Sequence, residues 1–398
     1  MALSTPKLHS NHADSAAPAR TIPYGRQWVD EDDIAAVVEA LRSDWLTTGP
    51  MVDAFERMVA ERVGAAQAVA VSSGTAALHA AMFALGIGPG DEVIVPPITF
   101  AATANCVLYQ GGTPVFADVD SCTLLIDPEQ VRKRISPRTK AIIAVDYAGQ
   151  PCDYDALREI AAGYNLSLVA DACHALGATY KGKPAGSLAD LTVFSFHPVK
   201  HITTGEGGLV STDNPSFVSR MRRFRNHGIS SDHRQRSAAG AWSYEMEDLG
   251  YNYRISDFQC ALGISQLGKL SAWLRRRLEI AGRYDAAFHG TSIEPLKVAP
   301  QVSHAYHLYV VKLKGRHRRA QTFSRLRELG IGTNVHYVPV YLHPFYQKTL
   351  GTRRGLCPVA EEAYEQILSL PMYPKMTDVE VARVSAAVLQ DCQDNHIL

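Results

Sequence analysis

The chain has 398 residues, 46% of them hydrophobic and 20% charged, and its 40 basic and 40 acidic side chains cancel formally. That length supports one sizeable core plus a smaller second domain, and the balanced charge argues against a nucleic acid as main partner. No basic residues lead into an apolar stretch near the start and no run is long enough to span a bilayer, so no membrane association is expected, and a cytoplasmic location is.

Residues 1–20 lack hydrophobic periodicity and are expected to form a flexible tail. An acid-rich opening over 30–43 predicts a helix, because carboxylates suit the positive N-terminal end of its dipole. Apolar runs at 68–71, 92–95, 114–117, 141–145 and 166–170 predict strands, separated by helices near 75–85, 99–109 and 154–162. This alternation implies a mostly parallel sheet covered by helices on both faces. A further apolar run over 191–196 reads as another strand, and 257–288 as a long helix bridging two domains. Beyond it, 306–313 alternates as a strand, 333–339 reads as extended, and 321–329, 359–367 and 378–389 read as helices. The expected organisation is an α/β large domain over 21–268 and a smaller α+β C-terminal domain over 269–398. Basic runs at 220–225, 275–277 and 316–319 lie in helix-like stretches and read as solvated faces. Seven cysteines without C-x-x-C or metal-ligand spacing read as free thiols, and no metal site is expected.

Two residues stand out at the ends of buried-strand patterns. Asp171 follows the run 166–170, and Lys200 follows the run 191–196 within Ser195-Phe196-His197-Pro198-Val199-Lys200. Alone, the first would read as a helix cap and the second as a solvated lysine. Together, at the carboxyl ends of adjacent strands, they occupy the place where open α/β sheets bind ligands. Pyridoxal phosphate (PLP) needs this pair: an amine for a Schiff base with its aldehyde, and a carboxylate that keeps its pyridine nitrogen protonated. Ser73-Gly74-Thr75, between a strand and a helix, and Ser195 before Lys200 supply amides and hydroxyls suited to a phosphate monoester. Phe100 could stack on the pyridine ring or serve the core. His174 could bond the ring hydroxyl or be a structural histidine. Cys173 reads as a small packing residue, not a nucleophile.

The ordered set Ser73-Gly74-Thr75, Phe100, Asp171-Ala172-Cys173-His174, Ser195 to Lys200, Glu206-Gly207-Gly208, Arg225-Asn226-His227-Gly228 and Gly250-Tyr251-Asn252-Tyr253-Arg254 resembles the DegT/DnrJ-type nucleotide-sugar aminotransferases. Within that family, Pro23-Tyr24-Gly25-Arg26-Gln27, Ser43 to Pro50, His197 to Lys200 and Val335 to Val340 are most similar to the PseC branch. The resemblance implies an aspartate-aminotransferase-like (fold type I) large domain. It implies PLP joined to Lys200, with Asp171 at the ring nitrogen and His174 at the ring hydroxyl. Ser73, Gly74, Thr75 and Ser195 would hold the phosphate, and Phe100 would cover the ring. Asn252 would reach the cofactor of a second subunit in a homodimer, and Tyr24, Arg26, Trp45, His336 and Tyr337 would line the sugar-nucleotide cleft. The implied reaction moves an amino group from L-glutamate to the C4 ketone of a UDP-4-keto-6-deoxy-N-acetylhexosamine, as on a pseudaminic acid route. His201 follows Lys200 directly, and a dehydratase offshoot carries histidine at the amine position; counting from Ser195 and Glu206 places lysine there, favouring transamination. Rival readings are an aminotransferase for another keto sugar or a cyclitol ketone, and a non-catalytic PLP-binding regulator.

Overall fold

The computed structural model describes residues 21–231, 233–314 and 318–394; the tail expected over 1–20 and the start of the basic run 316–319 lie outside the described residues. Helix α1 (Glu31–Arg42) begins as the acids dictate. The Asp30 carboxylate accepts from the Asp33 amide, and Asp33 accepts in return from the Asp30 amide, which satisfies two first-turn donors. Helix α2 (Pro50–Val63) has proline in its first turn and ends at Gly64 in the left-handed region. Sequence periodicity names no helix here, because the buried face of α2 mixes Glu56 with Val52, Phe55, Val59 and Val63.

Seven strands form one sheet: β1 (Gln67–Val71), β2 (Glu92–Val95), β3 (Thr113–Phe116), β4 (Thr139–Val145), β5 (Ser167–Asp171), β8 (Leu191–Ser195) and β9 (Gly208–Thr212). A small antiparallel sheet joins β6 (Thr179–Tyr180), β7 (Lys183–Pro184) and β11 (Val302–Ser303). A third joins β10 (Ile293–Pro295), β12 (Tyr309–Leu313) and β13 (Ile367–Leu370). In the large sheet the order is β1-β9-β8-β5-β4-β2-β3, and the pairings are parallel except where β9 meets β1 and β8. Continuous apolar runs fit strands covered on both faces: β2 and β4 are buried almost throughout. The mostly parallel sheet expected from the sequence is present. Helices α3 (Gly74–Leu85) and α4 (Ala102–Tyr109) follow β1 and β2.

The helix Asp257–Phe288 crosses the boundary expected at 268–269 as one continuous element. Its first half packs on α1 and α2 and its second half on β10 and the helix Asp378–Asp394. Residues 333–339 form no regular strand, and among them only Asn334 bridges, to Ser369. One expectation in the C-terminal half is corrected. The expected helix 359–367 stops at Gln366, and Ile367 opens β13, which pairs with β12. A four-residue strand directly after a helix has too few positions to show its period. The segment from Val340 to Ala363 returns to the core of the large sheet, where Asp118 accepts from the Val359 and Ala360 amides. Among the described residues no helix is long and apolar enough to cross a membrane.

A buried cation ties the long helix to the segments of the C-terminal half. Arg277 in the long helix is 1% exposed, and its Nη1 donates to the carbonyls of Tyr306 at 3.0 Å, His307 at 3.4 Å and Met372 at 3.0 Å. Burial pulls this guanidinium down to about 9. Arg277→Ala should lower the free energy of urea unfolding by several kcal/mol, since each unsatisfied buried carbonyl costs about 1–3 kcal/mol. A loss below about 1 kcal/mol would show that the buried guanidinium is dispensable.

Candidate active site

A cleft of about 670 Å³ opens at the carboxyl ends of β1, β2, β5 and β8. It gathers Tyr24, Ser73, Gly74, Thr75, Phe100, Asp171, His174, Ser195, Lys200, His336 and Tyr337, eleven of the residues singled out from sequence. Three others lie outside it. Trp45 is 38% exposed and its side chain packs over Gly49. Asp257 holds that turn by accepting from the Gly49 and Met51 amides, which keeps it on the long-helix side of the molecule. Arg26 is exposed, two residues past Tyr24. The expected cleft contacts of Trp45 and Arg26 are therefore not made within one chain. Asn252 is exposed in a loop paired with Asn226, also outside its own chain's cleft.

The first-turn amides of α3 have no carbonyl partners within the helix and lie at its positive end, which favours an anion. Ser73 caps the helix by accepting from the Ala76 amide at 3.1 Å. Two glycines allow the strands to close on this turn. A Cβ on Gly74 would meet Ser195 Cβ at 3.0 Å, and one on Gly208 would lie 2.2 Å from the Ser73 carbonyl oxygen. The turn therefore presents amides with the hydroxyls of Thr75 and Ser195 beside them, a cradle of the size and polarity a phosphate needs.

Asp171 ends β5, which pairs in parallel with β8. Its carboxylate is buried and accepts from Thr103 Oγ1 at 2.7 Å and from the Cys173 amide at 3.3 Å. Thr103 in turn shares a hydrogen bond with Thr99, also at 2.7 Å. Sequence reasoning missed both threonines; their signal was a four-residue spacing across the start of α4. Lys200 is half-buried, and protein crowded around its amine pulls it below the ordinary lysine value, while Cys173 and Asp171 oppose that shift. His174 Nε2 lies 3.2 Å from the Tyr337 hydroxyl, and its Nδ1 is buried without a partner. Burial holds this imidazole well below the ordinary histidine value, and the charge of Lys200 adds to the effect. His336 is fixed by Ser369 Oγ at 2.8 Å, and burial pulls it down to about 4. Phe100 is 59% exposed and turns its ring toward Tyr337, with centroids 6.2 Å apart. His307 also lines the cleft and was not anticipated. A lysine, a buried oriented carboxylate, an anion cradle and an open aromatic face together fit PLP.

The sequence model of the DegT/DnrJ/EryC1/StrS aminotransferase family matches residues 27–389. The spore coat polysaccharide biosynthesis protein SpsC of Bacillus subtilis (strain 168) is 44% identical over 376 residues, covering 92% of this chain and 96% of that protein. Among solved structures, the putative sugar aminotransferase Spr1654 of Streptococcus pneumoniae, in its PLP-form, superposes with a TM-score of 0.88 at 34% identity, covering 94% of this chain and 99% of that one. Helicobacter pylori PseC, described as an aminotransferase involved in the biosynthesis of pseudoaminic acid, superposes with a TM-score of 0.88 at 32% identity, covering 94% and 100%. These overlaps bear out the fold type I architecture that the sequence resemblance implied.

Beside the cleft, the buried Asp146 binds the Asp171 carbonyl through its amide at 3.0 Å. Its Oδ1 accepts from the Cys152 amide at 3.0 Å and the Tyr154 hydroxyl at 2.8 Å, while Oδ2 has no partner. Burial first, and the charge of Asp171 further, push this carboxyl up to about 7 against those two hydrogen bonds. Unfolded aspartate releases its proton at about pH 4. Between there and about pH 7 the folded chain holds the extra proton, so this group's contribution to stability falls as pH rises. Asp146→Asn keeps an acceptor for both donors and removes the titration. Its urea stability relative to wild type should rise by up to about 1.4 kcal/mol per pH unit across that window. A difference that stays flat with pH would contradict the assignment.

Proposed function

Because the chain belongs to the DegT/DnrJ/EryC1/StrS aminotransferase family, we propose that it is a PLP-dependent nucleotide-sugar transaminase. In this reading it moves the amino group of L-glutamate to the C4 ketone of a UDP-4-keto-6-deoxy-N-acetylhexosamine and leaves 2-oxoglutarate. The observation that carries it is the meeting of Lys200 and Asp171 with the α3 turn in one cleft. The likeness to PseC, described as involved in the biosynthesis of pseudoaminic acid, supports a route of that kind.

When bound, PLP supplies an electron sink and carries the amino group between donor and acceptor. The residues of the chain do the rest. The turn Ser73-Gly74-Thr75 and Ser195 hold the phosphate end. Asp171, oriented by Thr103 and the Cys173 amide, keeps the ring nitrogen protonated. Lys200 would hold the cofactor through its amine, and its Nζ would take the donor's Cα proton and return one to complete the transfer. The lowered amine value favours the neutral form this role needs. His174 would pair with the ring hydroxyl, and Phe100 would cover the open face of the ring. His336, Tyr337 and Tyr24 form the wall that the sugar meets. Asn252, exposed away from its own cleft, serves the cofactor phosphate of a second copy in a homodimer.

Borohydride reduction of the PLP-loaded protein should fix the cofactor's mass on the peptide holding Lys200. Lys200→Ala should bind PLP without that adduct and lose at least about a thousandfold in turnover. An adduct on another lysine would overturn the assignment. A second measurement addresses the acceptor. Offered glutamate with UDP-4-keto-6-deoxy-N-acetylhexosamine epimers and with nucleotide-free keto sugars and cyclitol ketones, the protein should aminate a UDP-linked ketone preferentially. A preference for a nucleotide-free ketone would refute the substrate proposed.

A further inference from the structure

The segment 304–308 enters the large domain from the C-terminal half and is fixed from two sides. The Ala305 amide donates to the Gly149 carbonyl at 2.8 Å and the Leu308 amide to the Ala148 carbonyl at 3.1 Å. Arg277 holds the carbonyls of Tyr306 and His307 from the other side. Gly149 sits at φ +110°, and a Cβ there would lie 2.8 Å from both the His174 carbonyl oxygen and the Tyr306 amide nitrogen. Three stretches of backbone therefore converge at a point where a side chain larger than hydrogen does not fit.

This convergence drives the His307 ring into the floor of the cleft. His307 is 5% exposed, with its ring centroid 4.3 Å from that of His174 and 5.6 Å from that of His201. His201 Nε2 donates to the Ala305 carbonyl at 3.0 Å, which anchors the far end of the row. The Nδ1 atoms of His174, His201 and His307 are all buried without a hydrogen-bond partner. Among the described residues no group of three His, Cys, Asp or Glu is arranged to hold a metal ion, so the row is not a metal centre.

We propose that His307 is a positioning residue for the transfer reaction: its ring wedges behind His174 and holds that imidazole with Nε2 at the Tyr337 hydroxyl. This rests on the PLP-dependent reading above. One hydrogen bond leaves the His174 ring free to tilt about its contact, and a second ring against it removes that freedom. The wedge has to be polar at its edge yet uncharged, because Lys200 stands nearby. Burial keeps all three imidazoles well below the ordinary histidine value, with the charge of Lys200 adding to it at His174 and His307. A misplacement of about 1 Å at a group touching the cofactor can cost on the order of a hundredfold in rate.

The test uses PLP-loaded protein and follows the glutamate half-reaction by the absorbance of the bound cofactor, in wild type, His307→Ala, His174→Ala and the double variant. His307→Ala should slow the step about tenfold, leave the half-saturating glutamate concentration within about twofold, and move the absorbance maximum in the same direction as His174→Ala. The double variant should be no slower than His174→Ala alone, because one residue acts through the other. A His307→Ala rate within about twofold of wild type, or a double variant slowed by the product of the two single losses, overturns the inference. Should His307→Ala give no soluble protein, the same cycle with His307→Asn decides it. Wild type that binds no PLP, or whose absorbance glutamate leaves unchanged, overturns the proposed function together with this inference. A responsive wild type with an unaffected His307 variant overturns this inference alone.

Discussion

The parallel pairing of β5 with β8 is the constraint on which the cleft depends. With Asp171 opposite Val193 in the register, the carboxylate and the loop carrying Lys200 emerge on the same edge of the sheet. A buried carboxylate is costly unless hydrogen bonds replace its water, so β5 cannot end there alone. The Thr103 hydroxyl supplies one bond, which ties the start of α4 to the end of β5. The antiparallel strand β9 then returns beside β8, and Gly208 lets the Ser73 carbonyl approach. One strand edge thereby assembles amine, carboxylate and anion cradle, and each depends on the backbone that places the others.

The second wall of the cleft is set by polar bonds to backbone across the two halves of the chain. The Tyr147 hydroxyl donates to the His336 carbonyl. The Val340 amide donates to the Pro97 carbonyl at 2.9 Å and the Met372 amide to the Tyr24 carbonyl at 3.0 Å. Within the C-terminal half, Arg277 of the long helix fixes the Tyr306 and Met372 carbonyls as well. Such bonds fix main chain, so His336, Tyr337 and His307 are presented from a rigid support even though they lie outside regular strands. Site loops held by a scaffold in this way keep catalytic geometry without belonging to it.

Much of the first wall was legible in the sequence, because its signals are local. The apolar runs ending at Asp171 and before Lys200, and the strand-to-helix turn at Gly74, each combine a buried strand with a chemically odd residue. What escaped depends on contacts between distant segments. Thr103 acquires its role only when α4 lies beside β5, and its spacing from Thr99 is ordinary on any helix. His307 is one of two histidines in His304-Ala305-Tyr306-His307, and only the folded chain separates the one facing His174 from its neighbour. Arg277 lies in a basic run that reads as solvated, yet it is buried on three carbonyls. Trp45 and Arg26 came from the family resemblance alone, and within one chain the Asp257 clamp on Gly49 carries Trp45 away from the cleft.

The distribution of charge bears on how a charged substrate is received. Asp171 and Lys200 stand among imidazoles that burial keeps neutral, and no arginine lines the cleft among the described residues. Arginines of a separate pocket are already engaged: Arg222 and Arg225 on Glu56, and Arg223 on Asp248. A dicarboxylate donor or a sugar diphosphate brings several negative charges, and a single lysine that must act as a base cannot neutralise them. Those charges need partners supplied from beyond the lining of one chain. The segment that carries Asn252 also exposes Trp242, Tyr244, Met246, Leu249 and Tyr251, an apolar run that stays poorly placed in water unless another surface covers it. A second copy would cover that run and bring new polar groups to the cleft mouth at the same time. This double demand, for cover on one side and for charge on the other, is the physical support for the homodimer proposed above.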